Sequence, residues 1–258
     1  MSGGLLALWP EQAALTAAAA LAAGVLNAIA GGGSFLTFPA LVFAGVPPLA
    51  ANATSAMAVS PGYLGSTLGF RAELRALPPA LLRREVLLAA SGGLAGAALL
   101  LLTPARVFAG IVPWLLLLAT ALFALGPRLA QRRGPPSQGG GHPRWRSPGL
   151  WLVAAYGGYF NGGLGILLMA LYSVTGETRL NTVNALKNLN SLVLSLLSVL
   201  AFAWAGAIVW PQALWMMLWA TLGGWLGARL ARRLPAVWVR RLVVLTGLVM
   251  SAVFFARG

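Results

Sequence analysis

The residues able to do chemistry in this chain are few, and most are amides and hydroxyls set in long apolar runs. Asn181, Asn184, Asn188, Ser191 and Ser195 recur at steps of three and four residues. On a helix of 3.6 residues per turn they form one polar stripe, and Lys187 flanks it. A second run carries Asn52, Thr54, Ser55, Gly62 and Ser66, with Pro61 expected to bend the helix. Two glycine-rich breaks complete the set. Gly31-Gly32-Gly33-Ser34 follows Asn27, and Gly162-Gly163-Leu164-Gly165 follows Asn161. Glycine lets backbone approach a ligand closely. A helix that opens at such a break presents free N–H groups and a partial positive charge. Two such openings, with Asn27 and Asn161 beside them, would make a neutral, donor-rich cradle for an anion. Asn52, Thr54, Ser55, Asn184 and Asn188 would line it, and Lys187 would supply the only full charge.

Each feature has a plainer reading. Lys187 sits about seven residues into its run, about 10 Å from the end at 1.5 Å per residue, and a lysine can snorkel from that depth. The Asn/Ser stripe could be interhelical glue, and the glycine runs could be hairpin turns. Gly92, Gly96, Gly223 and Gly227 fit close helix packing better than binding. Asn52-Ala53-Thr54 matches a glycosylation triplet but lies within an apolar run, so we discount it.

Enzyme chemistry finds no support. There is no phosphate-binding loop ending in Lys-Ser or Lys-Thr. No His/Cys/carboxylate cluster could hold a metal, and no cofactor is implied. The chain has no cysteine, and its single histidine, His142, lies in a polar stretch. The four acids, Glu11, Glu73, Glu85 and Glu177, all fall at the ends of apolar runs. That leaves no mid-run carboxylate for a proton relay or a sodium site.

The elements that must position these residues follow from composition. Hydrophobic residues make up 59% of the chain and charged ones 9%, against roughly a quarter charged in a soluble domain. Hydrocarbon tolerates such a surface. Apolar runs cover about 12–30, 33–45, 50–70, 85–103 and 106–126, then 149–161, 164–175, 181–205, 209–230 and 238–256. A full span needs about 20 apolar residues. Runs 33–45, 149–161 and 164–175 are too short and read as half-helices meeting at breaks. The expected fold is all-α: a polytopic transmembrane bundle of two inverted repeats, each a glycine-broken hairpin plus three full spans. The repeats are 1–126 and 149–258, joined by a polar linker at 127–148.

The repeat follows from three ordered matches. Gly24–Asn27 parallels Gly158–Asn161, Asn52-Ala53 parallels Asn184-Ala185, and Gly92-Gly93-x-x-Gly96-Ala97 parallels Gly223-Gly224-x-x-Gly227-Ala228, at offsets of 134, 132 and 131 residues. Inversion follows from charge. The formal net charge is +14, but the basic residues cluster in short loops: Arg71, Arg75, Arg83 and Arg84; Arg128, Arg132, Arg133, Arg144 and Arg146; Arg229, Arg232, Arg233, Arg240 and Arg241. All three loops can be cytoplasmic together if each half crosses an odd number of times. The chain then sits in the cell inner membrane as a multi-pass protein with both termini outside. Without a basic n-region the N-terminus is not expected to be a cleaved signal. Nucleic acid is not an expected partner. Inverted repeats characterise secondary transporters with the site at the repeat interface.

At these residues the sequence resembles the TauE/SafE family of bacterial membrane permeases, also called the toluene-sulfonate uptake permease group. The resemblance rests on Ala23-Gly24 to Pro39 with its Gly31–Gly33 run, on Gly45-Val46-Pro47-Pro48 leading to Ala51-Asn52-Ala53-Thr54-Ser55, and on the two Gly-Gly-x-x-Gly-Ala patterns. Gly158–Leu168 and Asn184–Asn190 carry it in the second half. It implies an exporter or importer of sulfite, a sulfonate or another organosulfur anion in the lipid bilayer; the sequence leaves monomer and homodimer both open. The second repeat lacks a counterpart of Pro39, and Glu177-Thr178-Arg179 replaces Pro47-Pro48, so the half-sites are unequal. Rival readings are a channel-like or scaffolding membrane protein, and, less favoured, an intramembrane enzyme.

Overall fold

The computed structural model describes residues 9–29, 32–131, 144–177, 179–230 and 236–257. Gly31, the linker core with His142, and the stretch holding Arg232 and Arg233 lie outside them. Every regular element among the described residues is a helix. In chain order these are α1 (Trp9–Ile29), α2 (Ser34–Phe43), α3 (Pro48–Gly69), α4 (Arg71–Arg75), α5 (Pro79–Leu102) and α6 (Ala105–Gln131). The second half contributes α7 (Arg146–Tyr159), α8 (Leu164–Val174), α9 (Leu180–Trp204), α10 (Trp210–Leu230) and α11 (Ala236–Arg257).

Local chemistry fixes several boundaries. Pro48 and Pro79 stand in the first turns of α3 and α5, where a missing N–H costs nothing and φ is already helical. α2 and α8 begin after Gly32 (φ +95°) and Gly163 (φ +78°), conformations that strain any side-chain-bearing residue. At 10 and 11 residues they rise only about 15–17 Å, half a hydrocarbon core. These are the expected half-helices. The linker boundaries differ from the apolar runs: α6 continues to Gln131 and α7 already begins at Arg146. Hydropathy stops at the polar residues while the helical hydrogen-bond ladder does not. The five-residue α4 in the first arginine loop carries no apolar signal. α3 runs on through Pro61 without interruption.

α5 and α9 are long and apolar enough to cross a membrane on length and composition alone. Shorter apolar stretches occupy Gln12–Ala28, Ala105–Ala121 and Val244–Ala256. The exterior is correspondingly apolar, with Leu102 82% and Trp204 93% exposed.

α3 and α9 pack at the centre, joined by a 2.8 Å hydrogen bond between the Ser60 and Ser195 hydroxyls. Around them α1 packs on α10, α5 on α7, and α6 on α11. Two of these seams are glycine-built. A methyl at Gly96 or Gly223 would sit 2.0 Å from the Ala155 or Leu21 carbonyl oxygen. One at Gly24 would sit 2.0 Å from that of Ala220, and one at Gly158 2.1 Å from that of Gly93. Between apolar helices in an apolar solvent, backbone approach of this kind supplies the van der Waals contact that hydrophobic burial does not.

Candidate functional site

A cavity of about 360 Å³ opens between the central pair and the α1/α10 seam. Asn27 on α1, Gly32 at the first break, Gly165 on α8, and Lys187 and Asn188 on α9 all line it. α3 contributes Tyr63 and Ser66 and α10 contributes Gly224. The cavity runs to Phe70 at the end of α3, one residue before Arg71. Five expected site residues therefore meet in one space although they come from four separate segments.

Lys187 is 8% exposed. Among the described residues it makes no ion pair or hydrogen bond, so its ammonium stands in the cavity wall without an acidic partner. Asn27 does two things. Its Oδ1 accepts the Gly33 N–H at 2.7 Å, capping the start of α2, and its amide belongs to the cavity lining. The Gly33 N–H is thus already used. The deeper part of the α9 stripe, Asn188, Ser191, Ser195 and Ser198, is buried, whereas Asn184 is half-buried and Asn181 exposed.

The other expected residues among those described are not in this lining. The space between the two helix openings is filled by the Phe35 ring. Its carbons would lie 3.4 Å from a Cβ at Gly32 and 3.2 Å from one at Gly163. Open volume is therefore found to one side of the breaks, not between them. Asn52 donates from Nδ2 to the Tyr159 carbonyl at 3.0 Å. Thr54 Oγ1 accepts the Val209 N–H at 3.0 Å. Ser55 shares a 2.6 Å hydrogen bond with Thr37. These three tie helices together. Ser34 is buried at the start of α2, and the Gly162 carbonyl accepts from the Tyr156 hydroxyl at 2.8 Å. Asn161 is buried, and its Oδ1 has no partner among the described residues.

One polar centre is absent from the sequence reading. Glu85, expected at a span end, is 3% exposed inside α5. Arg146, expected in the linker, opens α7 and meets it at 3.1 Å from Nε and 2.9 Å from Nη2. The Tyr172 hydroxyl and Asn190 Nδ2 donate to the other carboxylate oxygen at 2.5 and 2.8 Å. A buried carboxylate is tolerable because every donor here is aimed at it. The network ties α5, α7, α8 and α9 together beside the cavity-lining α9 residues.

A helical bundle with an apolar exterior and an interior cavity holding an unpaired cation has the make-up of an integral membrane transporter. Residues 16–254 match the sulfite exporter TauE/SafE family model. The chain belongs to that family and is a membrane transporter, not an enzyme. It is 28% identical over 244 residues to the probable membrane transporter protein ORF9 of a Sinorhizobium species, covering 90% of this chain and 88% of the relative. It is 27% identical over 245 residues to the probable membrane transporter protein YfcA of Escherichia coli strain K12, covering 90% and 86%. A probable membrane transporter protein of Haemophilus influenzae is 27% identical over 240 residues, covering 89% of each. No solved structure matches the chain.

Proposed function

We propose that this protein is a secondary transporter of a small oxyanion, sulfite or an organosulfonate, working by alternating access between two inverted repeats. The observation that carries the reading is Lys187, a buried cation with no acid opposite it, in the wall of a 360 Å³ cavity that also presents the Asn27 and Asn188 amides. In a low-dielectric site an ammonium attracts an anion far more strongly than in water, and amide donors orient it. The family's description as sulfite exporters favours the sulfur oxyanions.

The repeat reading draws support from an exchange of partners. α1 of the first half packs on α10 of the second, and α5 of the first packs on α7 of the second. Positive-φ glycines pair at one offset, Gly32 with Gly163 and Gly45 with Gly176, each 131 residues apart.

Alternating access draws support from an asymmetry between matching positions. At Gly93 the Ser198 hydroxyl donates to the carbonyl at 3.2 Å, and a methyl would meet Leu194 at 2.7 Å. At its counterpart Gly224 the nearest atom to such a methyl is 3.9 Å away. One side is packed shut and the other is the cavity. The cavity's Phe70 end adjoins Arg71 and Arg75, which the positive-inside rule assigns to the cytoplasm. We read this as the inward-open state. The packed seam at Gly93 is what a channel would lack.

The test is uptake of labelled sulfite into proteoliposomes, with sulfonates, phosphate and chloride as competitors, for wild type and Lys187→Ala. The expected outcome is saturable uptake with at least roughly tenfold lower affinity in the variant, about 1.4 kcal/mol. Unchanged kinetics in Lys187→Ala would remove the lysine from the site.

A further inference from the structure

A second, smaller cavity of about 220 Å³ lies between the starts of α5 and α7. Arg84, Arg144, Arg146 and Ser147 line it together with Leu81, Leu88 and Leu150. Glu85 also borders it, but its charge is matched by Arg146 at 2.9 Å. Arg84 and Arg144 are exposed side chains and leave the pocket with two uncompensated positive charges.

Among the described residues no acid pairs with either of them. The chain holds 18 basic residues against four acidic ones. Glu85 is engaged by Arg146 and Glu177 by Arg179, while Glu73 lines a different pocket. Nor can the adjoining stretch 132–143 serve, since it contains Arg132 and Arg133 and no acid. A bound anion can supply the counter-charge that these two arginines lack among the described residues.

We propose that this pocket binds a phosphate group, and that the bound phosphate is the headgroup of an anionic lipid of the inner leaflet. The chemistry is that of a guanidinium fork meeting phosphate oxygens, with the Ser147 hydroxyl as a further donor. The half-buried Leu81 and Leu88 in the same lining favour a lipid over a soluble phosphate, since they give the first carbons of an acyl chain apolar contact and a free ion none. A volume of about 220 Å³ is well above what a single water needs and admits a phosphate group. Basic pockets between transmembrane helices on the cytoplasmic side take such headgroups. The proposal rests on the inward placement of the arginine-bearing ends and is independent of what the Lys187 cavity carries.

The experiment is native mass spectrometry of the full chain in detergent, titrated with phosphatidylglycerol, cardiolipin, phosphatidylcholine and inorganic phosphate. Wild type is compared with Arg84→Ala/Arg144→Ala and with Arg84→Lys/Arg144→Lys. The account expects the anionic lipids to bind wild type more tightly than phosphatidylcholine. It expects a loss of roughly tenfold or more in the alanine pair and a smaller loss in the lysine pair, which keeps the charge. Equal retention of anionic lipid by wild type and the alanine pair would overturn the site. Binding of inorganic phosphate as strong as that of the lipids, and lost in the alanine pair, would overturn the lipid assignment. Sulfite transport is not the readout, so its failure and the failure of this site are separately visible.

Discussion

At Asn27 one side chain serves two neighbours, accepting the Gly33 N–H at 2.7 Å while its amide lines the cavity. Asn27→Ala leaves that N–H without its acceptor, and thermal unfolding should show a loss of about 1–3 kcal/mol. Asn27→Asp keeps the acceptor but adds a negative charge to the anion's wall. It should melt near wild type and bind sulfite at least about tenfold more weakly. Equal sulfite affinity in Asn27→Asp and wild type would exclude Asn27 from the site. Single residues were legible where their type is anomalous. Lys187 and Asn188 break an apolar run, and Gly32 and Gly165 belong to the two glycine-rich breaks. Tyr63 gave no signal, because an aromatic in an apolar run looks like core. Glu85 was read as a boundary charge because its partners Arg146, Tyr172 and Asn190 lie 61, 87 and 105 positions away. No local pattern encodes such a pairing.

Helices are the scale at which alternating access becomes concrete. The Ser198 hydroxyl donates to the Gly93 carbonyl at 3.2 Å, on the side that the proposed cycle has closed. Its counterpart Ser66, 132 residues earlier, and Gly224 both line the open cavity. In the opposite state the Ser66 hydroxyl should donate to the Gly224 carbonyl while Ser198 and Gly93 separate. The chain has no cysteine, so a Ser66→Cys/Gly224→Cys pair reports on a silent background. It should cross-link during turnover, arrest transport, and release it on reduction. Absence of any cross-link in actively transporting liposomes would rule out this closure. The half-helices α2 and α8 were legible from length and glycine, and the buried depth of the α9 stripe from its three- and four-residue steps. The glycine patterns also foretold close packing. They could not say that Gly96 meets Ala155 or that Gly223 meets Leu21, since a small-residue stripe specifies a distance of approach and not a partner.

Over the whole molecule, the apolar composition and exterior fit a helical bundle in lipid, and family membership makes it a membrane transporter. Which of the two matching seams is packed was not in the sequence. Two nearly equivalent seams, one at Gly93 and one at Gly224, can be told apart only once their packing is seen. The same holds for the cradle: the sequence put the anion between the two helix openings, and the Phe35 ring moved the open volume beside them. The central claim is carriage of a small oxyanion by alternating access, and counterflow tests it most directly. Proteoliposomes loaded with unlabelled sulfite are diluted into trace labelled sulfite. The account predicts a transient overshoot of internal label that depends on the internal anion and is lost in Lys187→Ala. Label entering at a rate indifferent to internal sulfite, or no sulfur oxyanion entering at all, would contradict it.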